Sequence, residues 1–104
     1  MATKQMKAIS IREPFASDII SSKKKVEYRS WRTHYRGRIL ICASARPKGP
    51  TAGMAIGTVE IVDCVGYPGD FEWILKNPKR IRTRFPVKGR LGFFNVELPQ
   101  RGGR

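Results

Sequence analysis

The apolar residues of this chain occur in short runs of strand length, and no other feature limits the possible folds as strongly. The longest uninterrupted run, Ile39 to Ala43, has the length of a single strand. A membrane-spanning helix needs about 20 consecutive apolar residues, and no segment of this sequence approaches that length. The pattern predicts a β-rich domain whose strands cover Lys7 to Arg12, Lys25 to Trp31, Arg38 to Ser44, Met54 to Val65, Ile81 to Phe85 and Leu91 to Leu98.

Two segments instead carry apolar residues at helical spacing. The first runs from Pro14, which suits the first helical position because it lacks an N–H, to about Ser22. The second would begin with Asp70 as its N-cap and end near Asn77, just before a proline. Its apolar face would consist of Phe71, Ile74 and Leu75.

Strands and helices together predict an α+β fold, a compact mixed β-barrel of five to six strands with two short helices. A chain of 104 residues has room for one domain, which we expect to span residues 1–104. The polar stretches near 1–5 and 99–104 are expected to be flexible ends.

The charge balance points to a polyanionic partner. The chain has 21 Lys and Arg but only 8 Asp and Glu, a formal net charge of +13. Nucleic acid is the commonest such partner, because each neutralised phosphate releases a condensed counterion. A merely soluble basic protein and a membrane-surface binder are the alternatives on charge alone. The N-terminus lacks the apolar core of a secretory signal, so we expect a cytoplasmic protein that does not insert into membranes.

Few residues are suited to cofactor or metal chemistry. Cys42 and Cys64 lie in strand-like segments without zinc-ligand spacing, and we expect two buried thiols, although a disulfide is possible in principle. His34 is the sole histidine and has no adjacent carboxylate or serine motif, so a catalytic triad is not expected. No phosphate-binding glycine motif is present. We therefore expect neither a cofactor nor a metal.

The basic residues fall in two clusters with aromatic residues among or beside them, a mixture that suits a single strand whose bases stack while its phosphates meet cations. The alternative is that the aromatics are core residues and the cations ordinary surface; we expect this of Tyr28 and Phe85, but not of Trp31. The predicted ligand-binding residues are Arg12, Lys23, Lys25, Arg29, Trp31, Arg32, Tyr35 and Arg36. The first basic cluster consists of Lys23, Lys24, Lys25, Arg29, Arg32, Arg36 and Arg38, and the second consists of Lys76, Lys79, Arg80, Arg82, Arg84, Lys88 and Arg90.

Five blocks of the sequence, in order, resemble the activating signal cointegrator homology (ASCH) domain. They are Ser10 to Ala16, Ser22 to Arg32, Tyr35 to Ile41, Trp73 to Arg80 and Pro86 to Val96. The resemblance implies a PUA-like β-barrel, a fold associated with RNA and modified nucleosides. The family signature G-x-K-x-x-E-x-R maps onto Lys24, Glu27 and Arg29, with Ser22 in place of the glycine. We call these three residues the charged triplet.

The residue types of the charged triplet also suggest a binding site, independently of the family resemblance. Strand alternation places Glu27 and Arg29 on one face, and Lys24 lies at the preceding helix-to-strand corner, so the three can converge on a small polar ligand. A carboxylate accepts hydrogen bonds from base amino groups, and a guanidinium offers a planar fork to oxygens. The alternative is a purely structural ion pair at the mouth of the barrel.

Some small proteins of this type are amidohydrolases that act on N4-acylated cytosine compounds, which gives a second functional hypothesis. In those enzymes a lysine at the Lys24 position works with a threonine and a distant glutamate. Here Glu27 occupies the threonine position, so hydrolysis would use Glu27 as general base on a water and Lys24 or Arg29 to polarise the carbonyl. The distant acid has no clear counterpart, although Asp70 and Glu72 lie in the corresponding half of the chain. A metal-independent ribonuclease is a weaker third alternative.

Overall fold

Strand pairing joins six strands into one sheet, and a short helix packs against it. The computed structural model describes residues 4–99. In chain order the elements are β1 (Gln5–Ile11), α1 (Phe15–Ile20), β2 (Val26–Arg29), β3 (Gly37–Ala43), β4 (Met54–Tyr67), β5 (Asp70–Pro86) and β6 (Phe94–Glu97). The strand order across the sheet is β2-β5-β4-β3-β1-β6.

The sheet is mixed, as predicted. β1 runs parallel to β3, and the four other neighbouring pairs are antiparallel. β2 and β6 are the edge strands, so backbone pairing does not close the sheet into a complete barrel. The PUA-like fold class with six strands is confirmed.

Helix α1 is confirmed close to its predicted bounds. Its apolar stripe, Ala16, Ile19 and Ile20, is buried against the sheet. Glu13 anchors the N-terminal end: its carboxylate accepts hydrogen bonds from the Ser17 N–H at 2.7 Å and from the Thr51 hydroxyl at 2.6 Å. The helix is therefore tied to the loop between β3 and β4 as well as to the core.

The predicted second helix, Asp70 to Asn77, is wrong, because this segment forms the first half of β5. Pro68 and Gly69 make a two-residue turn in which Gly69 has φ of +91°, and β5 then pairs with β4 as a long hairpin. A strand buries alternate residues, namely Phe71, Trp73 and Leu75. A helical face through Phe71, Ile74 and Leu75 would have left the large Trp73 ring outside the core.

Two other segment predictions are also corrected. The predicted strand Ile81 to Phe85 is not separate but the second half of the 17-residue β5. The last predicted strand, Leu91 to Leu98, shortens to Phe94–Glu97. The predicted flexible ends lie mainly outside the described residues, while Gln5 is the first residue of β1.

The long β4–β5 hairpin is interrupted where its register shifts. One shift lies opposite Asn77 and Pro78, where Asn77 has φ of +56° and its side-chain amide donates to the Glu60 carboxylate. A second lies between Ala55 and Gly57, where four residues of β5 stand opposite Ile56 alone. These bulges let β5 bend and accommodate a proline within a paired strand.

Candidate nucleic-acid interface

The charged triplet starts at a tight corner between α1 and β2. Ser22 has φ of +71°, a left-handed conformation that glycine adopts at lower cost. This explains why the family signature has glycine there and shows that serine still makes the turn. The Lys24 N–H then donates to the Asp18 carbonyl at 3.0 Å, which fixes the lysine backbone against α1.

The three charged side chains meet around the Glu27 carboxylate. Glu27 is only 8% exposed. Its Oε2 accepts a hydrogen bond from Arg29 Nε at 3.0 Å, and its Oε1 lies 3.8 Å from Lys24 Nζ. Each carboxylate oxygen therefore faces a different cation, and the predicted convergence of these residues is present in the structure.

Arg29 also connects two strands that are not neighbours in the sheet. Its Nη2 donates to the Ser10 carbonyl of β1 at 3.2 Å, and its guanidinium lies 5.9 Å from the Trp73 ring centroid. The side chain therefore spans the gap between edge strand β2 and β1. Ser10 contributes through its backbone, which residue-type patterns cannot reveal.

Two exposed aromatic rings flank Lys24. Phe15 is 48% exposed and Tyr28 is 59% exposed. Lys24 Nζ lies 5.3 Å from the first ring centroid and 4.9 Å from the second. The expectation that Tyr28 is a core residue is wrong: on an edge strand its side chain points away from the buried Glu27 face. Phe15 was not among the predicted ligand-binding residues, although its position at the start of α1, the helix that leads to Lys24, was the available signal.

Trp31 and Tyr35 belong to a packed aromatic cluster rather than to an open stacking surface. The Trp31 ring meets Trp73 edge-on at 4.7 Å and Phe93 at 5.4 Å, and Tyr35 meets Phe93 at 6.0 Å. The Trp73 indole N–H donates to the Trp31 carbonyl at 3.3 Å. Lys7 Nζ lies 5.2 Å from the Tyr35 ring. Trp31 and Tyr35 are half-buried, and most of their faces are occupied by protein.

The remaining predicted ligand-binding cations do not converge on Glu27. Arg36 hydrogen-bonds the Thr33 carbonyl and lies 3.8 Å from Asp63. Arg32 is exposed and stacks on the Phe71 ring at 4.8 Å. The others, Arg12, Lys23 and Lys25, are exposed; Arg12 precedes α1, whereas Lys23 and Lys25 flank Lys24 between α1 and β2.

A pocket of about 360 Å³ opens beside the lysine corner, which we define as Lys23 to Lys25. Its floor is apolar and includes Ile19 and Val26, and its lining includes Lys24, Lys25 and Lys76. The pocket joins the corner to the middle of β5.

Neither acid considered as a distant catalytic partner lies on the Glu27 face. Glu27 is paired with Trp73, whereas Glu72 is paired with Tyr28 and so projects to the opposite side of the sheet. Asp70 lies at the start of β5 beside the hairpin turn, beyond the end of β2. Its interpretation as a helix cap is wrong, since no helix begins there.

Other site classes receive no support within residues 4–99. In this range no three His, Cys, Asp or Glu side chains are grouped so that they could hold a metal ion. Both cysteines are buried and free, and burial raises the pKa of the Cys42 thiol to about 12. The helix of the described chain is too short to cross a membrane.

Comparisons with known proteins agree on one family. The ASCH domain family model matches residues 9–81. The chain is 28% identical to activating signal cointegrator 1 from Homo sapiens and 27% identical to the Mus musculus protein; each match covers 78% of this chain and 20% of the relative. This chain therefore spans about a fifth of the length of the curated relatives it matches.

Solved structures support the same fold. The crystal structure of ASCH from Zymomonas mobilis superposes with a TM-score of 0.65 at 19% identity, covering 90% of this chain and 87% of that one. A mutant form of that protein gives a TM-score of 0.67 at 19% identity, covering 90% of both chains. At this identity the likeness concerns the fold alone.

Proposed function

This chain belongs to the ASCH domain family, and from that premise we propose that it binds RNA or another single-stranded nucleic acid, with one nucleobase held at the charged triplet. The family is associated with RNA binding. The alternative ligand for the same site is a free modified pyrimidine nucleoside.

The observation that carries the proposal is the buried Glu27 carboxylate with a cation at each oxygen and two exposed rings beside one of those cations. A base could stack on Phe15 or Tyr28 while its polar edge exchanges hydrogen bonds with the triplet. Lys24 and Arg29 offer donors to carbonyl or phosphate oxygens, and Glu27 accepts from an exocyclic amino group. A recognition site for a base needs this combination of a flat apolar surface and mixed donors and acceptors.

The charge of the whole chain supports the same class of partner. A formal net charge of +13 attracts a polyanion from a distance and speeds its association. A neutral small-molecule substrate would draw no benefit from that field. The net charge therefore favours a single-stranded nucleic acid that places one base at the charged triplet and its phosphates on the surrounding cations.

The test is a fluorescence anisotropy titration with a labelled 12-nucleotide single-stranded RNA at salt concentrations from about 50 to 200 mM. We expect log affinity to fall linearly with log salt, with a slope of roughly 0.7 for each phosphate contacted. The absence of binding to RNA and to single-stranded DNA at about 50 mM salt would contradict the proposal.

A second candidate is deacylation of N4-acylated cytosine compounds, favoured by the 3.8 Å approach of Lys24 Nζ to Glu27. Glu27 would take a proton from a water that attacks the amide carbon, while Lys24 or Arg29 stabilises the developing oxyanion. Collapse of the tetrahedral intermediate would break the C–N bond and release the carboxylic acid, and Glu27 would return the proton to the leaving N4 amino group. Glu27 Oε2 already accepts a hydrogen bond from Arg29 Nε at 3.0 Å, and neither Asp70 nor Glu72 lies on its face as a second acid, which is why binding is the first proposal. Incubation with N4-acetylcytidine, followed by the change in absorbance, tests this activity directly. A flat absorbance trace would exclude it.

A cytoplasmic location and a single domain over residues 1–104 complete the proposal. Both cysteines lie buried as separate thiols, which suits a reducing compartment. Microscopy of the chain fused to a fluorescent protein would check the location.

A further inference from the structure

A row of cations on β5 forms a second charged surface that the charged triplet does not use. We call it the β5 track; its members are Lys76, Lys79, Arg80, Arg82 and Arg84. All five side chains are exposed. In the described part of the chain, the first four have no side-chain hydrogen bond or ion pair, and Arg84 lies within electrostatic reach of Glu13.

The local fold explains why these cations stay exposed. Where β5 shifts register, residues 81–84 stand opposite Ile56 alone and bulge away from β4. Ile81 and Phe85 lie between the arginines of the β5 track and next to them in the chain, and both pack against a buried apolar cluster that includes Leu40, Phe94 and Val96. The three arginine side chains stay exposed and line one pocket.

Acidic residues offset only part of the charge of the β5 track. Glu60 is the cross-strand partner of Lys76 and Glu13 interacts with Arg84, so two carboxylates lie near five cations. The remaining excess of positive charge is costly by self-repulsion unless a counter-charge binds there.

The β5 track is continuous with the lysine corner. Lys24, Lys25 and Lys76 line the same pocket. Helix α1 runs beside both regions, since Ile19 lines that pocket and Glu13, just before the helix, interacts with Arg84. From Lys76 to Arg84 an extended strand would span at most about 26 Å, and the bulges shorten this.

We propose that the β5 track is a phosphate-binding surface for single-stranded nucleic acid, which leads a strand away from the base held at the charged triplet. This inference rests on the proposed function and adds a direction and a length to the bound strand. A mononucleotide would reach only the triplet, whereas a strand of several nucleotides would contact both surfaces. The track would contribute affinity but not base selectivity, because it meets phosphates.

The experiment compares the doubly substituted R80Q/R82Q chain with a charge-matched control, K4Q/K48Q, whose side chains are exposed and lie outside the track. Both variants should keep the far-ultraviolet circular dichroism spectrum and melting temperature of the parent. With a labelled 12-nucleotide RNA, we expect R80Q/R82Q to lose affinity on the order of tenfold and to reduce the salt slope by about 1.4. The control should change affinity by less than about twofold, because long-range charge is screened. Cytidine monophosphate should bind both variants as it binds the parent.

The outcomes separate this inference from the proposed function. Failure of the parent chain to bind any strand overturns both. If the parent binds RNA and the two variants lose equal affinity, only the phosphate-binding role of the β5 track is overturned, because equal losses would indicate diffuse electrostatic attraction. A third result, in which R80Q/R82Q loses binding to phosphatidylserine-containing vesicles but keeps RNA binding, would assign the track to a membrane surface and would also overturn it.

Discussion

Lys24 differs from its two neighbouring lysines by what its ammonium group touches. It alone faces a carboxylate and two aromatic rings, whereas Lys23 and Lys25 have exposed side chains at the same corner. The three lysines carry the same charge, but only Lys24 has a carboxylate and two aromatic rings as neighbours of its ammonium group.

We therefore expect Lys24→Ala to weaken binding of a short RNA by about tenfold and to lower the salt slope by about 0.7. Lys23→Ala and Lys25→Ala are the matched controls and should have smaller effects in the same anisotropy titration. If the protein is instead an amidohydrolase, Lys24→Ala should lower turnover of N4-acetylcytidine by roughly a hundredfold with little change in substrate affinity. Equal effects from all three changes would mean a diffuse patch with no special role for Lys24.

At the scale of elements, α1 depends on an acidic anchor. Burial raises the pKa of the Glu13 carboxyl, but hydrogen bonds from Ser17 and Thr51 and the nearby charge of Arg84 outweigh it, so this pKa lies below its ordinary value. A carboxyl whose pKa is lowered by folding stabilises the folded state when ionised. That contribution is present above the ordinary pKa of 4.5 and is lost as pH falls through the lower folded value.

Glu13→Gln should accordingly lower the free energy of unfolding by about 1 kcal/mol at pH 7, since the group is partly exposed. The difference from the parent chain should shrink as pH falls below about 4, because the parent then loses its ionised carboxylate. Urea unfolding followed by tryptophan fluorescence at pH 7, 5 and 3.5 measures this. Asp70→Asn, at an exposed turn position, is the control; a constant difference at all three pH values would refute the anchor.

The β4–β5 hairpin depends on a close approach at Gly57. A Cβ added there would lie 2.5 Å from the Lys79 carbonyl oxygen and 2.7 Å from Ile20 Cδ1. β5 and α1 would have to move away from β4 to make room for a methyl group.

We expect Gly57→Ala to cost about 1–3 kcal/mol and to lower the melting temperature by several degrees. Gly49→Ala, which would meet no atom within 4 Å, should leave it nearly unchanged. Calorimetry of the two variants provides the comparison. A melting temperature for Gly57→Ala that matches the parent would show that the hairpin opens there without strain.

At the scale of the whole molecule, one side chain spans a gap that strand pairing leaves open. β2 and β6 are edge strands, and Arg29 reaches from β2 to the Ser10 carbonyl of β1. The same guanidinium pairs with Glu27, so it belongs both to the charged triplet and to the closure of the sheet.

Arg29→Ala should therefore lower the free energy of unfolding by about 1.5–3 kcal/mol, because it removes charge-assisted hydrogen bonds from a nearly buried carboxylate and a carbonyl. In this variant the amide hydrogens of β2 should exchange faster than they do in the parent chain, whereas those of β3, in the middle of the sheet, should change less. Urea unfolding measures the free energy and hydrogen exchange with mass spectrometry measures the exchange rates, and Arg12→Ala, at an exposed site, is the control. Exchange in β2 that is equal in Arg29→Ala and the parent chain would show that Arg29 does not stabilise the edge strand.

Residues with local, periodic signals were predictable. Alternation located β1 and β2 and placed Glu27 and Arg29 on one face, a continuous apolar run located β3, and the proline and apolar stripe located α1. The prediction of a second helix was wrong because two patterns overlap in this segment. Phe71, Ile74 and Leu75 fit a helical face, while Phe71, Trp73 and Leu75 fit a strand face. Local periodicity cannot choose between two such patterns when the segment is short.

By itself the sequence determined the strand-rich class, the excess of positive charge and the set of residues that form the charged triplet, because these depend on residue type and on neighbours along the chain. The tertiary structure alone decided that β5 is one bent strand, that Tyr28 faces outward, that Arg29 reaches Ser10 and that Lys76 shares a pocket with Lys24. Each of these depends on which strands become neighbours and where their register shifts. That choice is made by packing large side chains such as Trp73, and it joins residues far apart in the chain.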